Sequence, residues 1–141
     1  MTRAIERVLG LALGAGLGCT SATDRGLELD VQRLAREDSL PETVAARVAA
    51  RGVRAVPEIE AALHSAGVAG RLNLVVALRR TGAVEAVPLL LHRATHDDDE
   101  RVRLEAEHAL GSWAAGRDAR AEAARGALRQ LAQARGETRA G

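Results

Sequence analysis

The chain has 141 residues, with 20 arginines, no lysine and 19 acidic residues for a formal net charge of +1, and it contains one Trp, no Phe and no Tyr. So even a charge balance, with a single Trp and no Phe or Tyr to stack on bases, excludes a general nucleic-acid binder. The single cysteine excludes an intrachain disulfide and any multi-cysteine zinc site, and the length suits one domain whose core is built from Ala, Val and Leu.

The chain starts MTRAIERVLGLALGAGLGC, with Arg3 and Arg7 ahead of an uncharged run from Val8 to Gly18 that ends at Cys19. That run is too short to span a bilayer but suits the apolar region of an export signal. The stretch resembles a bacterial lipoprotein signal, although Gly16 stands where that family usually has Leu and Glu6 interrupts the basic region. The resemblance implies cleavage after residue 18, lipid on Cys19 and a protein held in the cell envelope through that anchor. An export signal without lipidation, or an intracellular chain ending this segment in a buried thiol, are the alternatives. Cleavage would remove Arg3, Arg7 and Glu6 and leave a body with no net charge to attract anionic lipid.

Residues 19–26 are short and polar, as a tether would be. Leu27, Leu29, Val31, Leu34 and Ala35 then suggest a helix near 27–38. Ser39-Leu40-Pro41-Glu42 is a helix start, since proline is tolerated where the first-turn N–H groups have no acceptor, and Gly52 should end this helix in a left-handed conformation. Helices should follow near 54–64, 70–81, 84–95 and 99–114, with Asp97-Asp98-Asp99 capping the last of these rather than holding a cation. A final Ala- and Arg-rich helix over 117–134 offers Ala124, Leu128 and Leu131 to close the open end, and residues 135–141 are expected to be disordered.

Between Gly52 and Trp113 one pattern occurs twice. Gly52 matches Gly82 at a spacing of 30, Pro57 matches Pro88 at 31, and Arg71 matches Arg103 at 32. Leu74, Ala77 and Leu78 of the first copy align with Ala106, Ala109 and Leu110 of the second, which marks them as core. Repetition at this period implies helical units that bury their apolar faces only by stacking. The run Asp98 to Gly111, with Val102, Arg103, Ala106, Ala109 and Leu110 in place, resembles a short HEAT repeat of the phycobilisome-lyase-like kind; the likeness extends over 41–134. The first copy departs from it, having Gly70 before Arg71 and no acidic turn. The resemblance implies an all-α, antiparallel helix-pair solenoid of about three units over 27–134 that binds proteins.

With core positions so assigned, Asn73, Val76 and Arg80 of one unit and Glu105, His108 and Ser112 of the next should face outward and could contact a partner protein. Arg71 and Arg103 should be structural, pairing with acids between units, and Trp113 should plug the join to the final helix. Catalysis finds little support. Deoxyhypusine hydroxylases, which are HEAT-like, hold two irons through His-Glu pairs, and the corresponding positions here are Leu72-Asn73 and Leu104-Glu105. His92 and His96 share a helix face, but a structural zinc site needs further ligands, so no metal and no cofactor is expected. The expected function is a noncatalytic protein-interaction scaffold. A metal-dependent HEAT-like enzyme and an intracellular accessory scaffold are the alternatives, and neither the partner nor the oligomeric state is legible.

Overall fold

A computed structural model describes residues 22–140. Among the described residues the fold is an all-α bundle of seven helices: α1 (Ala22–Arg36), α2 (Glu42–Ala49), α3 (Ala55–Leu63), α4 (Val68–Thr81), α5 (Val87–His96), α6 (Glu100–Ala114) and α7 (Ala119–Ala140). Short 3-10 turns, Gly52–Arg54 and Val84–Ala86, lead into α3 and α5. The first turn starts at Gly52 and the second two residues after Gly82, the matched glycines of the repeat pattern. Gly52 has φ +56° and Gly82 φ +66°, a left-handed backbone that suits glycine and little else. Pro57 and Pro88 lie in the first turns of α3 and α5, where no intrahelical N–H bond is lost.

The core follows the expected stripe. Leu74, Ala77, Leu78, Ala106, Ala109 and Leu110 are fully buried, as are Ile59, Leu90 and Val102, while Leu63 and Ala94 are almost so. Helix α4 is at the centre, packed against α1, α2, α3 and α6; α5 and α6 pack together, and α7 closes against both. Small side chains allow this close approach.

Several expectations need correction. Helix α1 begins at Ala22, so residues 22–26 are helix rather than tether. Leu29 lies on the exposed side of that helix and is no part of the core. Helix α7 continues through residues 135–140, where a disordered tail was expected; its Ala- and Arg-rich composition sustains a helix without burial. Cys19 and the expected export signal lie outside the described residues. Among the described residues no helix is long and apolar enough to cross a membrane.

Candidate functional site

The central feature is a buried charge cluster where the α5–α6 turn meets α4. The Asp97 side chain is 1% exposed and is chelated by Arg71, with Nε 3.0 Å from Oδ2 and Nη2 3.1 Å from Oδ1. Arg93 Nη1 donates to the same Oδ2 at 3.2 Å, and the Asp99 N–H donates to Oδ1 at 3.0 Å. The carboxylate is therefore satisfied on both oxygens. Burial alone would raise the Asp97 carboxyl, but the Asp99 N–H and the Arg71 and Arg93 guanidinium groups outweigh it and hold the carboxyl below the ordinary aspartate range.

Because that shift is downward, the cluster stabilises the fold above the ordinary aspartate pKa of 3.8, and the contribution disappears as the pH falls through the lower folded value. Urea unfolding across an acid series should therefore show a steep loss of stability below pH of about 4, and the loss should be shallower in Asp97→Asn, whose amide does not titrate.

The acidic run thus divides its labour. Asp99 is the N-cap of α6, accepting from the Arg101 N–H at 2.9 Å, as expected. Asp97 has a buried role not legible in the sequence, because a carboxylate in a run of three looks solvated. The two repeat arginines also share a role. Arg71 Nη1 donates to the Ala66 carbonyl at 2.9 Å, and Arg103 Nη1 to the Asp97 carbonyl at 2.6 Å, each tying down the turn before its own helix. Arg71 adds the expected ion pair between neighbours. Arg103 has no carboxylate partner among the described residues, contrary to expectation, and bonds backbone instead.

Of the six residues expected to face a partner, Asn73 is corrected outright. It is 6% exposed, and its amide donates to the carbonyls of Leu34 at 3.1 Å and Glu37 at 2.9 Å, groups left open where α1 ends. A buried capping amide cannot meet a partner. The sequence missed it because α1 does not belong to the repeat. Gly70, three residues earlier on the same face of α4, explains the departure of the first copy from the repeat pattern. A Cβ there would collide with the Ala35 carbonyl oxygen and come within 2.7 Å of its carbon.

The other five are accessible in varying degree. Val76 and Glu105 are half-buried, and Arg80, His108 and Ser112 are exposed. Arg80 Nη1 is 2.6 Å from Glu42 Oε2, an ion pair joining α4 to α2. The Ser112 hydroxyl donates to the Ala109 carbonyl at 2.7 Å, a bond within its own helix. His108 shares a shallow hollow with Glu100, Arg103, Leu104, Glu107 and Arg135, across which Arg135 of α7 binds Glu107 of α6 at 3.0 Å. Leu104 is 55% exposed beside it, an apolar side chain not among the residues expected to meet a partner.

Trp113 is buried where α6 meets α7, as expected, and the Arg120 guanidinium lies 5.3 Å from its ring centre, within cation–π range. Arg120 also donates to the Gly82 carbonyl at 3.2 Å, so the last helix reaches back to the end of α4.

Among the described residues no three or more His, Cys, Asp or Glu side chains group as a metal site. The class defined by these observations is an all-α helical bundle with a buried arginine–aspartate cluster. Comparison with protein-family models, with curated proteins and with solved structures returned no match for this chain.

Proposed function

We propose that this chain is a noncatalytic protein-interaction module, built as a HEAT-like stack of about three helix pairs and held at a membrane by lipid on Cys19. The observation that best supports the stack is the position of α4, packed between α2 and α6 while pairing with α3, as the middle member of one layer would be. The two left-handed glycines and the two arginines that tie down equivalent turns fit the same repeating unit. In such a stack the faces turned away from the core remain for recognition. Here they carry Val76 and Arg80 on α4 and Glu105, His108 and Ser112 on α6, joined by exposed Leu104. An apolar group among charged and imidazole side chains suits a protein contact. Ser112 is engaged with its own helix backbone, which does not suit a nucleophile.

The test has two arms. Purified Arg80→Ala and His108→Ala proteins should keep the wild-type melting temperature, because an exposed ion pair and an exposed imidazole contribute little to folding. The same variants should capture less of the partner recovered by crosslinking from host membranes. Equal capture with intact folding would remove this face from the proposal. Radiolabelled palmitate should enter the wild type and not Cys19→Ser, and an unlabelled wild type would end the lipid-anchor part.

A further inference from the structure

Three features lie outside the proposed contact face: the hollow beside His64 and Glu60, the exposed valines of the two 3-10 turns, and the histidine pair on α5. The pair has the most definite geometry. His92 and His96 are one helical turn apart and both exposed, with ring centres 5.0 Å apart and ring planes inclined by 50°. A metal bound about 2.0–2.1 Å from one nitrogen of each ring lies roughly 3.2 Å from each ring centre, so this separation corresponds to an angle of about 100° at the metal. That value falls between two adjacent positions of a square-planar ion and two of a tetrahedral one. Exposed rings can turn to aim their nitrogens at a common point.

Two further properties favour a cation here. His96 is the last residue of α5, so the partial negative charge of the helix C-terminus lies beside the pair. The rings border a hollow shared with Leu91, Thr95, Gln130 and Ala134, so that Gln130 of α7 adds an amide-bearing side chain to its lining. We propose that His92 and His96 form a two-point chelate for an imidazole-seeking divalent transition metal, of the Ni(II) and Cu(II) class, with water filling the remaining positions. With no third charged or imidazole ligand in reach among the described residues, the site is exchangeable, unlike a closed structural zinc centre. It requires only that α5 is helical and does not depend on the interaction-module proposal.

The experiment is a calorimetric titration of the full chain with Ni(II), in a Cys19→Ser background that removes the competing thiol. One saturable ion per chain is expected, with affinity falling about tenfold or more in either His92→Ala or His96→Ala, because loss of one arm ends the chelate. His64→Ala and His108→Ala should bind as the parent does. Circular dichroism confirms that each variant is folded, and Ni(II) should raise the melting temperature of the parent but not of His92→Ala. Absence of saturable binding, or binding that survives both His92→Ala and His96→Ala, would overturn the proposal.

Discussion

Asp97→Ala should cost about 3–5 kcal/mol of folding stability, because it leaves Arg71 and Arg93 facing each other in a largely buried site with no counter-charge. Their side chains are 16% and 13% exposed, so water can relieve only part of that cost. The backbone suffers too, since the Asp99 N–H loses the acceptor that shapes the turn into α6. In a domain whose whole stability is of order 5–15 kcal/mol, the variant would be at the edge of folding. The double variant Asp97→Ala with Arg71→Ala should recover part of the loss, because one unpaired cation is gone. Chemical denaturation of the three proteins measures this directly. A single variant within about 1 kcal/mol of wild type would mean that the cluster is solvated.

Gly70→Ala is the second large effect. The methyl group has no room, since the obstacle is the Ala35 backbone and not the end of a flexible side chain. Helix α1 must move away from α4, opening the contact around Leu34 and Leu74, both fully buried, and pulling the Leu34 and Glu37 carbonyls from the Asn73 amide. Overpacking of a tight core costs about 1–3 kcal/mol, and the lost capping bonds should bring this variant to the top of that range. The intrinsic preference of a helix for alanine over glycine, worth about 1 kcal/mol, works in the opposite direction. A stabilised Gly70→Ala protein would show that α1 does not cross α4 at this point.

These two sites also mark where the sequence was legible and where it was not. The positions of the helices and the stripe Leu74, Ala77, Leu78 and Ala106, Ala109, Leu110 could be read because two copies of one pattern confirm each other's register. Gly52 and Gly82 were legible for the same reason. What escaped depends on contacts between elements that do not repeat. Asn73 looked like a surface residue because its place in the other copy is Glu105; only the end of α1, outside the repeat, buries it. Asp97 was hidden among three aspartates, of which one caps, one is exposed and one is buried. Helix α7 ran longer than its apolar stripe because arginine and alanine favour helix even in water. The candidate contact face was legible only by subtraction, as what the core leaves over, and the expected face did not include Leu104, an apolar side chain that the structure leaves exposed.

All of this places α4 at the centre, enclosed by α1, α2, α3 and α6. Native-state hydrogen exchange, residue by residue, tests that enclosure most directly. The amides of Leu74, Val75, Ala77 and Leu78 should exchange only through global unfolding, far more slowly than those of Arg135 to Arg139 at the exposed end of α7. Exchange of the α4 amides as fast as those at the end of α7 would contradict a fold assembled around that helix.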